Sequence, residues 1–191
     1  HWLTFYTNGG SLVEPHFYAI NETVTLPTNP TKAGYTFNGW VDENNNPVDI
    51  SGKYLAENMI LQADWDANLV NYTVQIVIQN PDEQNEYDPV LGGIFTKQAL
   101  AGTTISGADI SESEITACIN GLPADSYFKG FLRYFYCNSD KTKNETVEIK
   151  GDGSSVIHIY YDRYVAELRF FLSYEATEPY TTRAGLFDQR M

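Results

Sequence analysis

Hydrophobic and polar residues alternate in short segments through the first third of the chain, a pattern typical of strands with one buried face. The first segment ends at Asn8-Gly9-Gly10, a turn signal because Asn and Gly tolerate a positive φ. In the last segment Leu61, Ala63 and Trp65 share one face. The alternation predicts strands over residues 3–7, 17–20, 23–26, 34–41 and 59–65.

The middle of the chain combines strand patterns with one helix signal. Ser111-Glu112-Ser113-Glu114 has the spacing of a capping box, and Ile115, Cys118 and Ile119 follow at helical spacing as a buried face. Gly151-Asp152-Gly153 predicts the turn of a hairpin. Strands are predicted over residues 72–78, 131–137, 145–150 and 155–161.

The pattern changes after residue 163. Residues 166–174 predict a strand that would open a third module, and the remainder is polar and is predicted to be a connector. No motif is recognisable in this segment.

Recurring aromatic and glycine motifs occupy residues 4–65: Thr4-Phe5, Asn8-Gly9-Gly10, Pro30-Thr31-Lys32-Ala33-Gly34-Tyr35-Thr36-Phe37-Asn38-Gly39-Trp40 and Ile60-Leu61-Gln62-Ala63-Asp64-Trp65. This set resembles the Listeria–Bacteroides repeat, the internalin-type B repeat of bacterial surface proteins. The resemblance implies a small β-grasp-like module of extracellular stalks and adhesins that carries no catalytic residues. Asp64 stands where the family often has Lys, which changes the surface charge and leaves the core pattern intact.

A second resemblance lies at the end of the middle region. Residues 151–163 finish with Tyr160-Tyr161-Asp162-Arg163 and are similar to mucin-binding-protein repeats, which often follow the first repeat in surface proteins of Gram-positive bacteria. The preceding residues match only loosely. Mucin recognition is what this resemblance implies, although a common fold does not establish a common ligand.

The patterns and the two resemblances together predict a mainly β, α+β chain. We expect two tandem β-grasp-like modules in an elongated arrangement, the first over residues 1–68 and the second over residues 69–163. Residues 164–191 would form a strand and a connector.

The charge of the chain excludes several classes of partner. It has 25 acidic against 12 basic residues, a net charge of −13, which disfavours nucleic acid and anionic lipid. No segment approaches the ~20 apolar residues that a membrane helix requires. We therefore expect no membrane insertion of this region. The resemblance to surface-protein repeats implies an extracellular, cell-surface location, with a signal peptide and wall anchor outside this sequence, and we expect a monomer.

No arrangement of residues in the sequence predicts catalysis or metal binding. His1, His16 and His158 are far apart and lack cysteine or carboxylate neighbours at ligand spacing. The loop that begins at Asp42 resembles a calcium loop, but Pro47 replaces the required glycine and Lys53 the final glutamate. We expect no enzyme activity, no metal and no cofactor.

The two cysteines leave two alternatives open. Cys118 lies on the predicted helix and Cys137 on the predicted aromatic strand. If the helix covers that strand, a disulfide would stabilise the fold by about 3 kcal/mol in an oxidising exterior. The alternative is two buried free thiols that pack as small hydrophobic groups.

The aromatic residues of the first module also allow two interpretations. A sugar-stacking platform would use Trp2, Tyr35, Phe37, Trp40 and Trp65. Core packing is favoured, because inward-facing strand positions of small modules need large side chains. The predicted core therefore contains Phe5, Tyr35, Phe37, Trp40 and Trp65.

These inferences predict a non-catalytic stalk or adhesion region of a bacterial cell-surface protein. One alternative is a module that binds host glycan, mucin or matrix protein. Another is an accessory region of a secreted hydrolase. The sequence does not identify ligand-binding residues.

Overall fold

The computed structural model describes residues 1–189, and the chain forms two compact units. The first unit contains residues 1–71 together with two later segments, 98–103 and 148–154. The second unit contains residues 72–97, 104–147 and 155–189. The module boundaries proposed from the sequence, 1–68, 69–163 and 164–191, stay predictions.

The mainly β, α+β fold class is confirmed, because most elements are strands and the three α-helices are short. The first unit contains one four-stranded sheet in the order β2-β1-β4-β3. Strand β1 pairs in parallel with β4, and the other neighbouring pairs are antiparallel. The strands are β1 (Trp2–Tyr6), β2 (His16–Phe17), β3 (Tyr35–Val41) and β4 (Met59–Ala67).

Two predicted strands of the first unit are largely wrong. Of residues 17–20, only Phe17 lies in a strand. Residues 23–26 form only a single bridge, between Thr23 and Tyr54, instead of a strand. The segment is held by a side chain, since the Tyr18 hydroxyl donates to the Thr25 carbonyl at 2.7 Å. Val24 is nevertheless buried, so the hydrophobic pattern located a core residue without locating a strand.

The core of the first unit lies on one face of its sheet. Leu3 and Phe5 of β1 pack against Leu61 and Ala63 of β4, and Trp40 of β3 joins them. The alternation of β1 and β4 produces this face, because successive strand residues point to opposite sides. The residues between them therefore point away from the core.

Two glycines allow a close backbone approach within the first unit. Gly34 adopts a φ of +75°, and Gly151, in the segment 148–154, lies directly against it. A Cβ atom on Gly151 would lie 1.7 Å from the Ala33 carbonyl oxygen. Only glycine therefore fits at position 151.

Replacing Gly151 with alanine should destabilise the first unit by about 2 kcal/mol or more, because the new methyl group meets rigid backbone. Tryptophan fluorescence during thermal unfolding measures this, since Trp2, Trp40 and Trp65 all lie in the first unit. Gly121→Ala is the matched control, because a Cβ there meets no atom within 4 Å. Equal unfolding midpoints for both variants would contradict the close approach.

The strands of the middle region form two further sheets. One has the order β6-β5-β10-β8, with β5 and β10 parallel and β8 and β10 antiparallel, and β7 pairs with β9. The strands are β5 (Leu69–Gln79), β6 (Tyr87–Leu100), β7 (Thr104–Ser106), β8 (Phe135–Cys137), β9 (Thr146–Glu148) and β10 (Val156–Arg163). The hairpin predicted around residues 151–153 is wrong, because the flanking strands β9 and β10 belong to different sheets.

The predicted helix begins at its capping box. Helix α1 (Glu112–Gly121) starts after Ser111, whose Oγ accepts from the Glu114 backbone at 3.3 Å. The Glu114 carboxylate in turn accepts from the Ser111 backbone at 3.0 Å. Hydrogen bonds from the Ser111 side chain and from Lys97 lower the pKa of Glu114 to about 2. The helix signal in the sequence is therefore confirmed.

The predicted aromatic strand over residues 131–137 is mostly wrong. Helix α2 (Tyr127–Gly130) is followed by a 3₁₀ turn, Leu132–Tyr134, and only β8 is extended. The Tyr134 backbone donates to the Phe131 carbonyl at 2.8 Å, which closes the turn. A third helix, α3 (Ser139–Asn144), follows β8.

The end of the chain contains a two-stranded sheet. Strand β11 (Val165–Phe170) pairs antiparallel with β12 (Thr181–Leu186). The predicted strand at 166–174 therefore corresponds to β11. The connector predicted after it contains a second strand, which the polar composition of residues 175–189 had concealed.

Candidate functional site

The side chain of His158 pairs with the carboxylate of Glu145, a contact that the sequence did not predict. Its Nδ1 lies 2.8 Å from Glu145 Oε1, and its backbone N–H donates to Glu145 Oε2 at 3.0 Å. Glu145 follows α3 and His158 lies in β10, so the fold joins residues that are separated by 13 positions. Such a pair is a component of many catalytic sites, and its surroundings decide its role.

The groups around His158 are occupied by structural contacts. The Thr142 hydroxyl is buried and accepts from the Tyr160 backbone at 3.0 Å. The Lys141 ammonium lies 3.9 Å from the ring centre of Tyr87 and 4.8 Å from that of Tyr160, in the cleft of about 240 Å³ beside His158. The histidine and its carboxylate therefore fasten α3 to β10. Within residues 1–189, no three metal-ligating side chains converge on one point.

The Tyr-Tyr-Asp-Arg motif forms a buried polar network. The Asp162 carboxylate accepts hydrogen bonds from the Tyr87 hydroxyl at 2.5 Å, the Asn138 amide at 2.7 Å and the Tyr136 hydroxyl at 3.4 Å. Burial, and then the bond to Asp162, raise the pKa of Tyr87 well above its usual range. Asp162 thus connects β10 to two other segments of the second unit, β6 and residues 136–138.

Arg163 is 5% exposed and connects three other segments. Its Nε donates to the Gln79 carbonyl at 2.7 Å, at the end of β5. Its Nη1 donates to the Tyr127 hydroxyl at 3.0 Å and to the Phe187 carbonyl, after β12, at 3.1 Å. The motif therefore has a structural role in this chain, and the resemblance to mucin-binding repeats stays a prediction.

The two cysteines are both free thiols. Cys118 lines a groove with Gly92 and Ile94 of β6, whereas Cys137 lies in β8. These strands are the opposite edges of the sheet, three strand spacings or about 14 Å apart. The suggested disulfide is therefore wrong for this fold. The alternative of two buried thiols fails as well, since Cys137 is exposed.

The proposed core aromatics lie at different depths in the first unit. Phe5 and Trp40 are buried, with ring centres 4.8 Å apart. Phe37 and Trp65 pack against the core, and Trp65 Nε1 donates to the Thr7 carbonyl at 2.9 Å. Tyr35 is only half-buried, and the Lys32 ammonium lies 4.1 Å from its ring centre.

Trp2 differs from the other tryptophans because its side chain is 49% exposed. It occupies the outward phase of β1 together with Tyr6, and Phe17 of β2 lies opposite it in the antiparallel register. The Trp2 and Phe17 ring centres are 5.5 Å apart. We call Trp2, Tyr6 and Phe17 the aromatic face. No helix is present in the first unit to cover it, within the residues that the structure describes.

A trough of about 570 Å³ adjoins the aromatic face at Tyr6. The Asp42 carboxylate, on its wall, accepts from the backbones of Asn44 and Asn46 at 2.8 and 2.9 Å. These bonds, the Asn46 backbone first, lower the pKa of Asp42 and keep it ionised. The trough is lined by Tyr6, Asp42, Glu43, Asn44, Glu57, Asn58, Met59, Ile60 and Gln62.

Neither the aromatic face nor the trough was predicted from the sequence, although Trp2 was one residue of the sugar-stacking alternative. Side chains alternate between the two sides of β1, so Trp2 and Tyr6 point to the side opposite Leu3 and Phe5. This alternation in the sequence could have predicted the aromatic face. The trough walls come from residues 42–44 and 57–62, which only the fold brings together.

Comparison with known proteins identifies the first part of the chain. Residues 1–64, about a third of the chain, match the model of the Listeria-Bacteroides repeat domain. The predicted resemblance of residues 1–68 to this family is therefore confirmed. This repeat is typical of non-catalytic regions of bacterial surface proteins.

Two proteins of Evansella cellulosilytica are similar to half of the chain. One, named "Putative membrane protein", is 29% identical over 99 residues, which are 51% of this chain and 15% of that protein. The other, named "Putative Gly-rich membrane protein", is 30% identical over 97 residues, 50% of this chain and 11% of that protein. The matched region is thus a small part of each relative. Among residues 1–189, no helix is long and apolar enough to cross a membrane.

Proposed function

We propose that this chain is a non-catalytic, extracellular spacer of a bacterial cell-surface protein that carries mechanical load between its attachment points. The match of residues 1–64 to a repeat of bacterial surface proteins supports the location. The pairing of the first and last strands within each four-stranded sheet supports the load-bearing role. A spacer with these properties would hold an adhesive or enzymatic domain away from the cell wall.

The parallel pairing of β1 with β4 is the observation that carries the proposal. The register runs from Leu3 opposite Met59 to Tyr6 opposite Gln62. Force that pulls residue 1 away from residue 69 slides these strands along each other. Because the strands are parallel, all the hydrogen bonds between them are loaded together, and each would have to break at nearly the same time.

The second unit repeats this arrangement with different residues. Strand β5 is the first strand of its sheet along the chain and β10 the last, and they are parallel neighbours. The register runs from Thr73 opposite Val156 to Ile78 opposite Tyr161. This pairing has six residues on each strand, against four in the first unit. Both units therefore resist tension by the same geometry.

The residues around His158 support the non-catalytic part of the proposal. Glu145 uses both carboxylate oxygens on His158, and Lys141 and Tyr160 occupy the adjoining cleft. These contacts give the pair a structural explanation. The Listeria-Bacteroides repeat, which residues 1–64 match, is also typical of non-catalytic regions of surface proteins.

Stretching single molecules between residues 1 and 69 tests the load-bearing role. The unfolding of the first unit should require high force and release about 200 Å of chain, at ~3.5 Å per extended residue less the folded span. Cys118→Ser and Cys137→Ser keep the native thiols from reacting with the handles. Gradual extension at low force would overturn the proposal.

A further inference from the structure

Several large apolar side chains are exposed together on the outward side of the first sheet. Trp2, Tyr6 and Phe17 of the aromatic face are each about half exposed, and Ile60 beside them is 51% exposed. Thr4 lies opposite Ile60 and Tyr6 opposite Gln62, so these side chains share the outer side of the sheet. Contiguous apolar patches on a soluble surface usually mark a binding site.

The adjoining trough surrounds this apolar surface with hydrogen-bonding groups. Its walls include the carboxylates of Glu43 and Glu57 and the amide of Gln62. Asn58 Oδ1 accepts from the Trp2 backbone at 2.9 Å, which ties the trough to the aromatic face. Aromatic rings beside carboxylates and amides suit sugars, whose C–H faces stack on rings and whose hydroxyl groups need acceptors and donors.

The charge of the trough selects among sugars. Three of its nine lining residues are acidic, Asp42, Glu43 and Glu57, and none is Lys or Arg. The negative charge of Asp42 repels carboxylated or sulfated glycans and does not repel neutral sugars. The trough therefore favours neutral sugars.

The dimensions favour an extended chain over a globular protein. Trp2 and Tyr6 lie four residues apart on β1, a distance of about 13 Å along the strand. A linear chain of sugar rings can contact the aromatic face and place its end in the trough.

We propose that the aromatic face and the trough bind a neutral oligosaccharide. This role goes beyond the load-bearing function proposed above and shares with it only the extracellular location. It differs from mucin binding by the second module, because the residues involved are Trp2, Tyr6 and Phe17 of the first unit.

Binding of the complete chain to defined glycans tests this inference. The probes are cellohexaose, mannohexaose and N-acetylchitohexaose as neutral chains, and a hyaluronan hexasaccharide as the anionic one, titrated by calorimetry. At least one neutral chain should bind, and hyaluronan should bind more weakly. The double variant Trp2→Ala, Tyr6→Ala should lose at least about tenfold in affinity, which corresponds to about 1.4 kcal/mol of binding free energy.

Two variants serve as matched controls. Tyr174→Ala removes an exposed tyrosine outside the face and should leave binding unchanged. Trp2→Tyr retains an aromatic ring and should retain most of the affinity. Fluorescence of Trp40 and Trp65 checks that the double variant remains folded.

Three results of the glycan titrations would overturn the inference. They are no binding of any neutral chain, tighter binding of hyaluronan, or unchanged affinity in the folded double variant. Capture of a globular protein through Trp2 and Tyr6 without glycan binding would also overturn it. None of these results changes the response to force, so failure here is distinguishable from failure of the load-bearing proposal.

Discussion

Replacing Trp40 with alanine is expected to destabilise the first unit by about 3–5 kcal/mol, which is the usual cost of removing a large buried aromatic side chain. Trp40 is 4% exposed and contacts the rings of Phe5 and Phe37, with ring centres 4.8 and 5.3 Å away. A unit with so small a core has little stability to lose. The variant should therefore be largely unfolded in this region at room temperature.

Urea unfolding followed by tryptophan fluorescence measures this effect, because Trp2 and Trp65 remain in the variant and both lie in the first unit. Trp2→Ala is the matched control. It removes the same side chain from an outward position of β1, where 49% is exposed, and should cost about 1 kcal/mol or less. Equal losses for Trp40→Ala and Trp2→Ala would contradict the assignment of the two faces of the sheet.

Replacing Arg163 with alanine should have a similar effect on the second unit, about 3–5 kcal/mol. The guanidinium donates to the Gln79 and Phe187 carbonyls and to the Tyr127 hydroxyl. Its removal deprives the half-buried Gln79 and Phe187 and the more exposed Tyr127 of their charged donor, and hydrogen bonds to charged groups contribute about 1.5–3 kcal/mol each. Lysine cannot reproduce the forked geometry, so Arg163→Lys should recover only part of the loss.

Arg169→Ala provides the control for Arg163. Arg169 pairs with Glu167 at 2.9 Å on the surface, with a side chain that is 60% exposed, and such pairs contribute about 0–1 kcal/mol. Amide hydrogen exchange of β5 and β10 reports the stability of the second unit in both variants. If Arg163→Ala leaves exchange in these strands as slow as Arg169→Ala does, the motif does not hold the unit together.

Local features of the fold could be predicted from the sequence because they depend on neighbouring residues. The capping box at Ser111 involves only the next three residues. The turn at Asn8-Gly9 follows from backbone preference, and both residues have a positive φ. Alternation in β1 and β4 placed Phe5 and Leu61 on the same side because strand periodicity is a local property.

Features that depend on distant contacts could not be predicted. Gln79, Tyr127 and Phe187 lie 24 to 84 positions from Arg163, and no pattern links them. The suggested disulfide required knowledge of the strand order, which places Cys118 and Cys137 near opposite edges of the sheet. Residues 131–137 are rich in aromatic residues, but the turn at Phe131 depends on hydrogen bonds that composition does not encode.

The candidate site also combines a feature that local sequence could predict with one that it could not. Trp2 was considered with Trp40 and Trp65 for a sugar-stacking platform and was left out of the predicted core. Its parity with Tyr6 already separated it from Leu3 and Phe5. The sequence therefore contained the signal for the aromatic face. The trough depended on the approach of the loop at Asp42 to the segment before β4, which no local pattern indicates.

The direction dependence of unfolding under force tests the load-bearing account most directly. Handles at residues 1 and 69 slide β1 along β4, whereas handles at residues 1 and 57 open the same pair from one end. The account predicts a markedly higher unfolding force for the first attachment, because the hydrogen bonds between the strands break together instead of one after another. Equal forces for the two attachments would contradict it.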